Sequence, residues 1–303
     1  MVTDRRHVSR RAFFTGVGTA TAAAGAGCLG SQSSDQSAEL GELTVGVTTS
    51  TYDSGLLDVL HTTFESEYQT TVRAVSGGTG ETIAAGERGD VDAVMAHARS
   101  LEDDFIRSGH GINRRNFAFG DFVIAGPPED PARIDEVETA TEAFDRISET
   151  EATFLSRGDN SGTHVRELEV WDQSNSSPGG EWYLEAGQGM GNTLAQAGQQ
   201  GAYLLSVRGN FIDMRDGVDL DLLVEGPITD GDPMLDNPYG IIVVNPAIHA
   251  AVKYELAMLY VGFLTGTEGQ TIIEEYTIDG EQVFYSDGLS DEPEFEQYIP
   301  EDN

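Results

Sequence analysis

Beyond residue 42 the chain alternates short apolar runs with longer stretches whose apolar residues recur every three to four positions. The short runs are Leu43 to Val47, Thr71 to Val75, Val91 to Ala96, Phe122 to Ala125, Ala152 to Leu155, Ala202 to Leu205, Leu220 to Val224 and Ile241 to Val244. Their length and Val/Ile/Leu/Ala content predict buried strands. The longer stretches, Leu56 to Tyr68, Glu81 to Arg88, Leu101 to Ser108, Thr141 to Ser148, Thr163 to Trp171, Asn192 to Gln199 and Ile248 to Leu264, predict helices. Alternation of this kind predicts an α/β protein whose parallel sheets are covered by helices on both faces. No internal repeat of fixed period is present, and the acidic end, Asp291 to Asn303, reads as peripheral.

Two strand-like runs are bounded by chain-turning residues. Asp121 to Ala125 ends in Gly126-Pro127, and Ile241 to Val244 sits between Pro238 and Pro246. If each crosses between lobes, residues 42–120 and 238–303 form lobe 1 and residues 121–237 form lobe 2. A two-strand hinge then surrounds a cleft that closes on ligand. The same runs also fit central strands of one sheet. An apolar content of 39% is enough for either arrangement.

The first residues read differently. Ser9-Arg10-Arg11-Ala12-Phe13-Phe14 is a twin-arginine pattern, and the weakly apolar stretch Phe13 to Gly27 is too short for a conventional membrane span. Cys28 ends the run Gly25-Ala26-Gly27-Cys28, which resembles a lipoprotein cleavage box. Residues 1–28 are therefore expected to be a twin-arginine lipoprotein signal. Lipidated Cys28 would anchor the protein to the outer face of the cell membrane. The Ser/Gln/Asp-rich residues 29–41 would serve as a flexible tether. Cys28 is the only cysteine, so disulfides are excluded.

Charge narrows the list of partners. The formal net charge is −35, from 17 basic and 52 acidic side chains. Lys253 is the single lysine, and the four arginines in residues 1–27 would leave with the signal. Such self-repulsion is tolerable in molar salt, where the Debye length falls to about 3 Å, so the surface is that expected of a halophile. Nucleic acid is not an expected partner. The acids are dispersed among apolar segments and do not form a disordered tail.

An anion site in so acidic a chain has to be local, and one segment supplies it. Arg157-Gly158-Asp159-Asn160-Ser161-Gly162-Thr163-His164 follows a strand and opens a helix. Ser161, Gly162 and Thr163 would present backbone N–H groups and hydroxyls at the positive end of a helix dipole. Arg157 adds a fork of donors, and the natural ligand is an oxyanion. Two more loops occupy equivalent positions after strands. Thr48-Thr49-Ser50-Thr51 precedes Asp53-Ser54-Gly55 and a helix, and Gly77-Gly78-Thr79-Gly80 opens the helix at Glu81. A Ser/Thr run also serves simply to cap helices. The glycine loop lacks the Lys-Ser/Thr ending of a nucleotide P-loop and fails the dinucleotide fingerprint.

These segments, with Asn113-Arg114-Arg115, Asp121-Phe122-Val123-Ile124, Trp182-Tyr183-Leu184-Glu185, Gly187-Gln188-Gly189-Met190-Gly191 and Asn237-Pro238-Tyr239-Gly240, resemble in order the TupA-type tungstate-binding proteins of tungstate ABC transporters. The hallmark Thr-Thr-Thr-Ser of that family is matched except at its first threonine, where this chain has Val47 and that hydroxyl is absent. The resemblance implies a type II periplasmic-binding-protein fold. It implies tungstate as ligand, with molybdate the weaker one, and delivery to ABC permease and ATPase subunits. Carried over residue by residue, it implies that Thr48 and Ser50, with Thr79, contact the oxyanion from lobe 1, and that Arg157 and Thr163 contact it from lobe 2. Thr49, Ser161 and Gly162 complete the candidate ligand set.

Asp159 bears on the class of ligand. Phosphate carries a proton near neutrality and rewards a carboxylate acceptor, whereas tungstate, molybdate and sulfate are fully ionised. In phosphate-binding proteins a similar loop uses its Asp in the site. Here the favoured role for Asp159 is to pair with Arg157 and orient it. A phosphate-binding protein is the main competing reading, and a sensor subunit shares the same binding chemistry. A hydrolase using Ser161 has the residue types Asp159, Ser161 and His164 but no nucleophile elbow, so no catalytic residue is expected. No cofactor is expected. The histidines show no metal-ligand spacing, so no metal site is expected either. His97 reads as a hydrogen-bonded structural histidine at a strand end, and Trp182, Tyr183 and Met190 read as packing residues.

Overall fold

The computed structural model of the protein describes residues 41–288. The expected signal, Cys28, nearly all of the tether and the acidic C-terminal end lie outside them. The elements, in chain order, are β1 (Glu42–Thr48), α1 (Thr49–Asp53), α2 (Leu56–Tyr68), β2 (Thr71–Gly77), α3 (Thr79–Arg88), β3 (Ala93–Ala96), α4 (Arg99–Arg107) and β4 (Gly111–Gly126). Next come α5 (Ala140–Thr150), β5 (Phe154–Ser156), α6 (Gly162–Gln173), β6 (Tyr183–Glu185), α7 (Met190–Gln200), β7 (Leu204–Val207), α8 (Arg208–Met214) and β8 (Asp221–Val224). The chain returns through β9 (Asp236–Val244), α9 (Tyr254–Leu264), α10 (Thr267–Glu275), β10 (Thr277–Ile278), β11 (Glu281–Gln282) and β12 (Tyr285–Ser286).

The expectation of all-parallel sheets is corrected. β1 pairs in parallel with β2 and β3, but β9 runs antiparallel to both β3 and β4, and β7, β8 and β12 run antiparallel to β4. The reason is topological. The chain leaves on β4 and returns on β9, so neighbours that carry it out and back must oppose each other. β4 is one continuous strand of 16 residues. Residues Gly111 to Asp121 pair with β9, while Phe122 to Ala125 pair with β7.

The core follows the same division. Two apolar clusters are built from residues 43–118, 239–284 and Ile212, and two from residues 122–235. Between them, at the middle of β4, the Arg208 guanidinium grips Asp121 with two hydrogen bonds of 2.7 and 2.8 Å. Both side chains are buried.

α9 also begins later than its apolar pattern, which starts at Ile248. Residues 245–252 form hydrogen-bonded turns instead, and the Lys253 N–H is tied to Asp92 at 2.8 Å before the helix opens at Tyr254.

Candidate functional site

Three helix starts converge at the carboxyl ends of strands. The first follows β1. The Thr48 hydroxyl is buried and lies 2.8 Å from Thr51 Oγ1 and 3.4 Å from Ser50 Oγ. Thr49 points differently, donating its hydroxyl to the Gly77 carbonyl at 3.4 Å, which ties α1 to the end of β2. The second start is α3. Gly78 is its extended cap, the Gly78 N–H reaches Glu81 Oε2, and the Thr79 hydroxyl is buried with no hydrogen-bond partner. The N–H groups of the first turn of a helix have no acceptor within it and are free to face an anion.

The third start carries the arginine. β5 ends at Ser156, whose Oγ accepts the Gly158 N–H at 3.2 Å. Gly158 and Asn160 both adopt positive φ, 59° and 55°, which coils the loop tightly enough to turn Arg157 inward. A Cβ on Gly158 would also fall 2.7 Å from the Glu185 side chain. Arg157 is 2% exposed. Asp159 Oδ2 accepts from both Arg157 Nε and Nη2, and Asp159 Oδ1 accepts the Ser161 N–H at 3.1 Å. The Ser161 hydroxyl caps α6 by accepting the His164 N–H at 3.3 Å. Two donors in this loop, Arg157 Nη1 and Thr163 Oγ1, are buried with no partner.

The loops meet through His97, at the end of β3. Its Nε2 is 2.7 Å from Ser50 Oγ, its Nδ1 is 2.9 Å from Asn237 Oδ1, and Gly162 packs against its ring. A Cβ on Gly78 would lie 3.9 Å from the Asp159 carbonyl, so the α3 start also borders the arginine loop. Thr48, Ser50, Thr79, Arg157, Ser161, Gly162 and Thr163 are all buried in this region.

Burial governs the titrating groups. It pushes His97 down to about 4, and the Arg157 and Arg166 charges act in the same direction, so the ring is neutral near pH 7. Burial raises Asp53, against the nearby Arg157 charge. It also pushes Glu167 up to about 7, although the Tyr183 hydroxyl donates to it at 2.7 Å. The net field at the loops is donor-rich, with Asp159 already occupied by Arg157 and Ser161.

The residue types of a triad do not assemble. Ser161 Oγ is bonded to the His164 backbone, and His164 Nδ1 accepts the Asn160 N–H at 3.0 Å. Trp182 and Tyr183 pack against Trp171. Asn237 and Glu167 were not singled out by sequence reasoning. Asn237 stands at the head of the Asn-Pro-Tyr-Gly run, but only its proximity to His97 gives it a role.

Residues 21–268 match the model of the PBP superfamily domain. A Haloferax volcanii protein described as an ABC transporter anion-binding protein is 49% identical over 274 residues, 90% of this chain and 80% of that one. The tungstate-binding protein TupA of Peptoclostridium acidaminophilum is 34% identical, covering 82% of this chain and 88% of its own length. Among solved structures, the tungstate ABC transporter protein of Geobacter sulfurreducens superposes with a TM-score of 0.71 at 45% identity, over 78% of this chain and 98% of that one. With that match the two-lobed architecture is the periplasmic-binding-protein fold, and the chain belongs to the TupA family of the PBP superfamily.

Proposed function

We propose that this chain is the extracytoplasmic solute-binding protein of an ABC importer, capturing tungstate, with molybdate as the weaker ligand, and delivering it to a permease. One observation carries the ligand class. Arg157 Nη1, Thr79 Oγ1 and Thr163 Oγ1 are buried polar groups without partners among the described residues, and they come from the arginine loop and the α3 start that borders it. Buried donors without acceptors are costly, and a tetrahedral oxyanion would satisfy all three. Thr48, Ser50, Ser161 and the N–H groups of Gly162 and Thr163 would complete its surroundings. Thr49 would contribute its backbone, since its hydroxyl is tied to Gly77.

Asp159 favours a fully ionised anion over phosphate. Oδ2 is taken by both Arg157 donors and Oδ1 accepts the Ser161 N–H, so the carboxylate is engaged in holding its own loop, which leaves little acceptor capacity for a phosphate proton. The relatives named for tungstate binding support the same choice. The role proposed for Asp159 is to hold the Arg157 fork in position.

In this reading lobe 1 comprises residues 42–120 and 238–303 and lobe 2 comprises residues 121–237, with β4 and β9 as the hinge. The anion closes the lobes because only the closed state satisfies all its oxygens. Export by the twin-arginine route and a lipid on Cys28 would keep the protein at the outer face of the membrane. The protein would act as a binding protein and not as an enzyme.

The test is calorimetric titration in molar KCl with tungstate, molybdate, sulfate and phosphate in parallel. Tight tungstate binding with sulfate and phosphate silent is expected. A phosphate response stronger than the tungstate one would overturn the reading and make Asp159 a direct ligand.

A further inference from the structure

Ser50 Oγ has two neighbours besides the proposed ligand, His97 Nε2 at 2.7 Å and Thr48 Oγ1 at 3.4 Å. A hydroxyl has one proton. If His97 Nε2 is an acceptor, the Ser50 proton goes to the ring and the oxygen shows only lone pairs to an anion. If Nε2 carries the hydrogen, Ser50 accepts from the ring and its own proton is free to point at the anion. A neutral imidazole holds one ring hydrogen, so the tautomer of His97 decides whether Ser50 attracts or repels an oxyanion.

The tautomer is set at the other face of the ring. The Asn237 amide stands between His97 and Tyr239, its oxygen 2.9 Å from Nδ1 and its nitrogen 2.8 Å from the phenol oxygen. A half-turn exchanges these two atoms with no change of shape. Tyr239 is 2% exposed, and among the described residues its hydroxyl has no hydrogen-bond partner other than Asn237. With the amide nitrogen toward Tyr239, the phenol proton is buried without an acceptor. With the amide oxygen toward Tyr239, the phenol donates to it, the amide N–H donates to His97 Nδ1, and the ring hydrogen must sit on Nε2. With Thr48 Oγ1 at 3.4 Å, or the bound anion, accepting the proton that Ser50 no longer gives to the ring, the second arrangement leaves one fewer buried donor unmatched.

We propose that His97 is a positioning residue, held in the Nε2–H tautomer by a chain that runs from Tyr239 through Asn237 and makes Ser50 a donor to the bound anion. The proposal rests on the oxyanion reading of the site. The chain begins and ends on different elements: Tyr239 and Asn237 lie in the hinge strand β9, His97 directly follows β3, and Ser50 is in α1. The ring cannot turn over to evade it. Tyr239 stacks on His97 at a centroid distance of 5.1 Å, Phe122 lies at 6.1 Å, and Gly162 closes the edge. Burial first, and then the Arg157 and Arg166 charges, disfavour a charged ring, which keeps the choice between two neutral tautomers.

Nitrogen-15 NMR reads the tautomer directly. The full mature chain is labelled in molar KCl, and His97 is assigned by comparison with His97→Gln. The Nε2–H pattern is expected in the free protein and in the tungstate-loaded one, and the Nδ1–H pattern in either would overturn the proposal. A binding cycle adds a second readout. Tyr239→Phe removes the phenol donor and should weaken tungstate binding about tenfold, whereas in a Ser50→Ala background it should cost almost nothing. Equal losses in both backgrounds would mean that Tyr239 acts only through packing. Absence of tungstate binding by the unmodified protein would refute the ligand assignment, and the His97 tautomer in the free protein would still decide this inference.

Discussion

Gly162, the first residue of α6, lies so close to the His97 ring that a Cβ there would fall 2.6 Å from Cε1 and 2.9 Å from each nitrogen. The two residues come from different proposed lobes, one carried by the arginine loop and the other directly following β3. The absence of a side chain at residue 162 is therefore what lets the α6 N-terminus pack against His97, the ring that bonds Ser50.

Gly162→Ala should hold the loops apart. The imidazole cannot yield without breaking its bonds to Ser50 and Asn237, and overpacking of this kind costs about 1 to 3 kcal/mol. That cost falls on the closed state, so tungstate affinity should drop roughly tenfold to 100-fold while the melting temperature of the unliganded protein barely moves. Calorimetry paired with thermal denaturation checks both halves. An unchanged affinity would mean that the contact plays no part in closure.

Arg157→Ala removes the only guanidinium in the arginine loop and leaves Asp159 without its cation. Loss of a charge-assisted hydrogen bond costs about 1.5 to 3 kcal/mol, and the affinity for oxyanion should fall by at least tenfold. Arg157→Lys should recover little of this, because the planar fork that meets both Asp159 and the anion is lost. Circular dichroism should show an intact fold in both variants. Retained affinity in Arg157→Ala would remove the arginine loop from the site.

Arg208→Ala should act on stability and not on ligand contacts. It strands the Asp121 carboxylate at the middle of β4, where among the described residues the only other donor to it is the Ile228 N–H at 3.3 Å. Breaking one side of a buried pair typically costs about 3 to 5 kcal/mol. Urea denaturation in molar salt measures the loss. A change below about 1 kcal/mol would indicate that water reaches Asp121 and solvates it.

Much of this structure is legible in the sequence because local patterns encode it. The apolar period of Leu56 to Tyr68 coincides with α2, and the three Ser/Thr/Gly loops are recognisable because each lies between a strand and a helix. The first half of β4 is not legible. Asn113-Arg114-Arg115-Asn116 looks like a loop, but the segment lies in strand because β9 pairs with it and α4 supplies Glu102, which pairs with buried Arg114 at 2.6 Å. Strand direction is equally hidden, since an apolar run such as Ile241 to Val244 looks the same whichever way its neighbour runs. Asn237 needs a partner 140 positions away before its amide means anything. Thr49 shows the reverse case, a hydroxyl in the expected loop that the fold directs to a backbone carbonyl.

Glu167 should give the protein a pH-dependent stability of identifiable sign. It lies on α6 directly behind the arginine loop, 1% exposed, with the Tyr183 hydroxyl, Ser156, Trp171 and the Arg157 N–H around its carboxyl. Burial raises it from 4.5 to about 7, against the lowering effect of the Tyr183 hydrogen bond and the other donors nearby. The folded state therefore holds the proton more tightly than the unfolded chain. The stability linked to that proton is fully present below about pH 4.5 and is lost as the pH rises through about 7. At 1.36 kcal/mol per unit the loss is of order 3 kcal/mol. His61 and His97, both lowered to about 4 by burial, run the opposite way, contributing stability above about 6.5 that disappears as the pH falls. The whole-protein profile mixes these effects, so the informative quantity is the difference between the protein and Glu167→Gln. The two should unfold with similar free energies near pH 4.5, and the variant should gain steadily on the parent up to about pH 7.5. A difference that stays flat across that range would mean that Glu167 is already ionised when folded, with the surrounding donors outweighing its burial.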